Sequence, residues 1–183
     1  MSSSKNNRRK VERRHRFIYI IIFEVYIVLL IYFLFFSEVF GRTVGFEEYR
    51  YNLKPFAEIV RYFTNMREKN YLMFFINIVG NIVLFMPFGF LFPFISEKEY
   101  FRPGKNFFVT FFVTILFVLL METAQLVTKV GVFDVDDIMM NTFGSVMGYI
   151  LYRILRRGRF QTKTGEIRKV REARQDGQGR RHG

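Results

Sequence analysis

Four apolar blocks, each close to the length needed to cross a bilayer and separated by charged strips, constrain this chain more than any other feature. They are FIYIIIFEVYIVLLIYFLFF (17–36), YLMFFINIVGNIVLFMPFGFLFPFI (71–95), FFVTFFVTILFVLLMETAQLVT (107–128) and IMMNTFGSVMGYILYRIL (138–155). A helix of ~20 apolar residues covers the ~30 Å hydrocarbon core. Half of the 183 residues are hydrophobic and 25 are Phe, which is a membrane composition rather than that of a soluble domain. The expected fold class is therefore an all-α integral membrane protein with four transmembrane helices in one membrane domain, 17–155. The first block is expected to persist as a helix: its apolar run is too long for a cleavable signal, and SEVFGRTVGF after it offers no small-residue cleavage site.

The charged strips orient the spans. Lys and Arg number 21 in the 1–16 tail, the 96–106 turn and the segment from Arg153 onward, against 7 in the segments 37–70 and 129–137. The positive-inside rule then places both termini in the cytoplasm, with a multi-pass protein in the membrane. The segments 37–70 and 129–137 face outward and hold eight acidic residues. The tails 1–16 and 156–183 are basic and poor in apolar residues, so they are expected to be disordered and drawn to anionic lipid. No aromatic stacking platform accompanies their charge, and nucleic acid is not an expected partner.

Polar residues inside the spans gather near the outer face. Asn77 and Asn81 are four apart, hence on one helix face beside Gly80, and Pro87 beyond them predicts a kink or break. Interhelical hydrogen bonding at ~1 kcal/mol each is the plain role of such asparagines. Glu122 and Gln125 share a face of the third span, and a carboxyl so placed needs a partner, a proton or water. Asp137 and Asn141 share a face of the fourth. On ideal helices Asn77, Glu122, Gln125 and Asn141 fall within ~10 Å of depth of the outer boundary, which predicts one outward-facing polar pocket. Gly144 and Gly148, with Ser145 adjacent, form a face on which a neighbouring helix can pack closely. Glu24 lies too far away to join the pocket and is expected to find a partner on another helix or to be protonated.

The stretch VFDVDDIMMN puts Asp134, Asp136 and Asp137 at the mouth of the fourth span. The expectation is that Asp137 faces inward, that Asp134 and Asp136 stay wet, and that Asp136 or Asp137 caps the helix, whose N-terminal dipole favours an anion. In the long outer segment, Leu53, Phe56, Ile59, Val60 and Phe63 have helical spacing after the turn NLKP, predicting an amphipathic helix on the outer surface. Arg50, just before it, is placed either to reach back to Glu122 or Asp137 or to stand as an exposed rim charge. With no cysteine, and with His15 and His182 both in basic tails, thiol, zinc-thiolate and Ser-His-Asp chemistry are excluded.

The pieces RYNLKPF (50–56), NIVGNIVLFMPFGFLFPF (77–94), ETAQL (122–126) and FDVDDIMMNTFGSVMGY (133–149), in this order, resemble the VanZ family of membrane proteins, the teicoplanin-resistance type. The resemblance covers about 50–152 and leaves out the first span's sequence and the basic C-terminal tail. It implies a bacterial multi-pass membrane protein, in a family whose founding member lowers susceptibility to teicoplanin, a lipoglycopeptide that seizes the D-Ala-D-Ala end of wall precursors outside the cell.

Two functions follow as expectations. In the first, the bundle binds a lipid-linked or lipid-tailed molecule at the outer leaflet, a wall precursor or the drug itself, through Arg50, Asn52, Asn77, Asn81, Gln125, Asp134 and Asn141; amides suit neutral polar groups and the acidic rim suits a cation. In the alternative, Glu122 and Asp137 act as an acid and base pair of a membrane-embedded hydrolase or transferase on a lipid-linked substrate. No strong nucleophile or oxyanion motif is visible, so the binding reading leads. The aspartate spacing fits no established calcium loop, and no metal or other cofactor is expected.

Overall fold

The computed structural model describes residues 2–36, 48–57, 60, 64, 71–96 and 103–156, with helix side chains described for 14, 16–36, 78–96 and 105–156. The basic tail from 157 onward lies outside the described residues. Helices α1 (Ser2–Phe36), α2 (Tyr71–Ser96), α3 (Pro103–Val127) and α4 (135–156) make up the bundle. Two short strands, β1 (Tyr51–Asn52) and β2 (Phe133–Asp134), pair in parallel with Tyr51 opposite Phe133 and Asn52 opposite Asp134.

Three of the helices are long and apolar enough to cross a membrane, over Arg16–Phe36, Ile78–Ser96 and Lys105–Val127. α1 starts at Ser2, so the segment expected to be a disordered tail continues the helix instead. The apolar run nucleates the helix, and Lys, Arg and Glu before it are good helix formers that extend it at little cost. α4 is less apolar, carrying Asp136, Asp137, Asn141, Ser145, Arg153 and Arg156. Its small and polar positions are covered by protein: Asn141 and Ser145 are each 2% exposed.

Between lipid-facing helices there is no hydrophobic drive to associate, so close packing and hydrogen bonds hold the bundle. The core is Leu30 and Leu34 of α1, Phe85 and Phe88 of α2 and Val118 of α3. Phe88 is its hub, with ring centroids 5.3 Å from Phe23, 5.4 Å from Phe117 and 5.8 Å from Phe92. α4 joins through contacts of another kind. A methyl group on Gly144 would overlap the Ile82 carbonyl oxygen, one on Gly148 that of Met86, and one on Gly89 that of Ser145, so α2 and α4 touch backbone to backbone. Thr114 and Ser145 hydroxyls, 2.8 Å apart, tie α4 to α3.

α2 stays helical through Pro87 and Pro93, so of the kink or break expected at Pro87 no break forms. The amide Pro87 lacks would have served the Val83 carbonyl; one residue on, the Leu84 carbonyl accepts from the Tyr26 hydroxyl at 2.6 Å, which ties α1 to α2 in this turn. Of the two expectations for Glu24, a partner on another helix is not found. It is exposed and, among the described residues, makes no hydrogen bond or ion pair. The inward face of α1 is set by Phe23, Tyr26, Ile27, Leu30 and Leu34, and Glu24 lies one residue, or 100°, round from Phe23.

Of the amphipathic segment, Ile59 and Phe63 lie outside the described residues. Ala57, Val60 and Thr64 are helical, and Val60 N–H donates to the Phe56 carbonyl at 2.8 Å. Leu53, Phe56 and Val60 are each more than half exposed, so this apolar face is not sunk into the bundle core.

The glycine seam can be checked directly. Gly148→Val should lower the unfolding free energy in detergent by about 1–3 kcal/mol, the usual cost of overpacking. Met147→Val, at a position 41% exposed, should change it little in the same thermal circular-dichroism series.

Candidate functional site

The site is built where α3 ends and α4 begins. α3 terminates in a tight reversal: Lys129 takes a left-handed φ of 57°, and the Gln125 carbonyl accepts from Val130 N–H at 3.1 Å and Gly131 N–H at 3.4 Å. The chain then returns as β2, whose Phe133 N–H donates to the Arg50 carbonyl at 3.0 Å. This carries Asp134 back over α3, where its amide donates to Glu122 Oε2 at 3.1 Å.

Each aspartate has its own donor from outside α4, two from the 52–56 loop and one from α2. Asp134 accepts from Asn52 Nδ2 at 3.0 Å through one oxygen and from the Asp136 amide at 2.8 Å through the other. The second bond makes Asp134 the N-cap of α4, the role expected of Asp136 or Asp137. The reversal after α3 starts the helix at 135, so the aspartate just before it takes the cap. Asp136 Oδ1 accepts from the Phe56 amide, and Asp137 Oδ1 from Asn81 Nδ2 at 2.8 Å. Asn52 Oδ1 also accepts from the Lys54 amide at 3.2 Å, an Asx turn that leads into Pro55.

Asp134 and Asp136 were expected to stay wet, yet they are 5% and 1% exposed. Their burial follows from the β1–β2 bridge, which brings the Asn52 side chain and the Phe56 amide to replace water. Phe56 reaches this position with φ 63°. A bulky residue rarely adopts that region, and such strain is kept only where surrounding structure over-determines it.

Of the predicted set, hydrogen bonds join Asn52, Asp134 and Glu122 in one group and Asn81 and Asp137 in a second, both at the start of α4. Glu122 is 2% exposed and Gln125 fully buried. Gln125 Nε2 donates to the Leu34 carbonyl at 2.9 Å, near the end of the described part of α1. Among the described residues its Oε1 has no partner, and the same is true of Oδ1 of buried Asn141. Arg50 is exposed at the rim, with its backbone in the bridge. The Asn77 side chain lies outside the described residues. Among those described, no three carboxylates converge where a metal ion could sit.

The sequence reading missed three contributors. Asn106, Thr110 and Thr114 are buried on α3, with each threonine hydroxyl donating to the carbonyl four residues back at 2.8 Å. They lie at a spacing of four that leads to Glu122, a polar stripe visible in the sequence. The Thr142 hydroxyl is buried without a partner. The Phe56 amide carries no side-chain signal at all.

The cap assignment predicts that Asp134→Ala costs about 0.5–2 kcal/mol from the helix terminus alone, plus the loss of the Asn52 bond. Asp137→Asn should cost less, because an amide oxygen still accepts from Asn81. Urea titrations of both variants in the same detergent decide the order.

A family model described as VanZ/LLP1 matches residues 23–156, which contain all four membrane blocks except the start of the first, together with the whole of the cluster. No curated protein and no solved structure gives a match. With well over half its length matched and three helices fit to cross a bilayer, the chain is a helical membrane protein that belongs to the VanZ/LLP1 family.

Proposed function

We propose that this protein binds a lipid-linked or lipid-tailed molecule at the outer leaflet of a bacterial cell membrane, through the polar cluster at the α3–α4 end. By doing so it lowers susceptibility to teicoplanin-type lipoglycopeptides. In this reading α4 is a fourth span, both termini are cytoplasmic, and 17–155 is one membrane domain flanked by basic cytoplasmic segments. The charge asymmetry of 21 against 7 basic residues supports the orientation.

One observation carries the binding reading. Gln125 Oε1 and Asn141 Oδ1 are amide oxygens of side chains 0% and 2% exposed, and neither has a hydrogen-bond partner. A buried polar atom left unpaired costs about 1–3 kcal/mol, and both lie on the helices that carry the carboxylates. Acceptors of this kind suit a ligand rich in N–H or O–H donors, such as a sugar, a peptide stem or an ammonium group. The family's founding member supports the connection to lipoglycopeptides, and Arg50 at the rim gives an anionic portion of the ligand a place to meet positive charge.

The acid–base alternative needs Glu122 and Asp137 to exchange protons with a substrate. Both carboxylates accept hydrogen bonds from the protein, from the Asp134 amide and from Asn81. Such bonds favour the scaffolding role. The two readings part at Glu122→Gln, which keeps an oxygen for the Asp134 amide while removing the titratable group.

In a sensitive host at matched membrane levels, the wild type should raise the inhibitory concentration of teicoplanin and reduce surface labelling by a fluorescent derivative. Glu122→Gln should retain most of that protection. The Asn81→Ala, Gln125→Ala double variant should fall to the level of the empty vector. Full protection by the double variant would remove the pocket from the function, and loss of protection in Glu122→Gln alone would favour proton transfer.

A further inference from the structure

Glu24 lies eight residues, or ~12 Å, into the α1 span from Arg16, and twelve residues, or ~18 Å, short of Phe36. Neither end is within reach of so short a side chain, so the carboxyl cannot snorkel to water. It is exposed, and no described residue pairs with it. Ionisable groups at such depth face a bundle interior or pair with one another across helices. One that faces outward therefore marks a helix contact lying outside this chain's own bundle.

The residues around it have the spacing of a helix seam. Phe17, Ile21, Glu24, Val28, Ile31 and Phe35 recur at alternating intervals of four and three. That spacing keeps them on one strip of α1 and matches the 3.5-residue repeat of paired helices. Phe17, Ile21 and Val28 are 63%, 43% and 67% exposed. Ile31 and Phe35 are half-buried, and Phe35 packs against the core of its own bundle. The strip is thus open along the N-terminal half of the span and closes towards the end that carries the acidic cluster.

We propose that a second copy of the chain docks on this strip, with α1 packed in parallel on α1 and the two Glu24 carboxyls hydrogen-bonded to each other across the seam. Copies inserted the same way bring Glu24 to the same depth, and a two-fold axis along the membrane normal sets each carboxyl against its equivalent. A carboxyl holding its proton both donates and accepts, so the pair satisfies itself without a cation. The three apolar spans offer a second copy no other ionic partner at this depth. Apart from Arg16 and Lys105 at their ends, their only charged residues are Glu24 and Glu122, and Glu122 is buried. A single polar residue in a seam also fixes register and the number of copies. Because the strip closes towards the far end of the span, the two copies diverge there and leave each acidic cluster uncovered.

The chain contains no cysteine, so single ones report contact. Ile21→Cys and Val28→Cys lie on the strip; Leu29→Cys, at a position 52% exposed and 100° round the helix from Val28, is the control. Each full-length variant is reconstituted in phosphatidylethanolamine and phosphatidylglycerol vesicles at a high lipid-to-protein ratio and oxidised with copper phenanthroline. A strip cysteine should give several-fold more disulfide-linked dimer than the control. Adding Glu24→Leu, at an exposed position where leucine leaves the fold intact, should reduce that yield to the control level. Glu24→Gln, which keeps a donor and an acceptor, should preserve it. Equal yields at strip and control positions, or no dimer at either strip position, would overturn the docking face. An undiminished yield with Glu24→Leu would remove Glu24 from the interface, and loss of the dimer with Glu24→Gln would overturn the hydrogen-bonded pair.

Discussion

The acidic start of α4 can exist inside the protein only because two other parts of the chain, the 52–56 loop and α2, bring donors to it. Buried carboxylates are tolerated when each is hydrogen-bonded. Here Asn52 serves Asp134, the Phe56 amide serves Asp136, and Asn81 serves Asp137. The loop before α2, the helix α2 itself and the N-terminus of α4 are therefore fixed to one another by polar bonds. Apolar packing cannot provide that specificity in lipid, where one oily helix face is much like another. The glycine seam on α2 and α4 has the same logic further down the helices: backbones close enough to touch set the depth at which Asn81 meets Asp137.

The bundle was legible because hydropathy reads spans directly, and spacing reads faces. Asn81, Glu122 and Asp137 were assigned to a shared polar region from helical period, and the structure bonds Asn81 to Asp137 and Glu122 to the Asp134 amide. Gly144 and Gly148 announced the close approach by their spacing. Other features depend on geometry that has no period. β1 and β2 are two residues each, too short for any alternation to appear. The choice of Asp134 as cap follows from a left-handed Lys129 ending α3 where it does, and the burial of Asp134 and Asp136 follows from that bridge. Phe56 carries a backbone conformation that its side chain would argue against. Pro87 was read as a site of kink or break because sequence shows the missing amide but not the packing that keeps α2 helical through it.

Two kinds of polar group emerge from the cluster. The carboxylates are held and serve to assemble the fold. The amide oxygens of Gln125 and Asn141 and the hydroxyl of Thr142 are buried without partners, and so have capacity the fold does not use. A chain under pressure only to pack would fill such positions with apolar residues of similar size, since an unmade buried hydrogen bond costs more than its absence by replacement. The division assigns structure to the acids and recognition to the neutral groups, the reverse of what charge alone would suggest at the mouth of a membrane site.

The Asn52–Asp134 bond joins residues 82 apart, and all of α2 and α3 lie in the loop it closes. A chain that enters the bilayer from its N-terminus makes α1, α2 and α3 before any partner for Asn52 or the Phe56 amide exists. The strained turn at Phe56 has nothing to hold it until α4 arrives. The cluster can therefore close only after α4 has been made, and a chain stopped before 134 would lack every acceptor that Asn52, the Phe56 amide and Asn81 meet there.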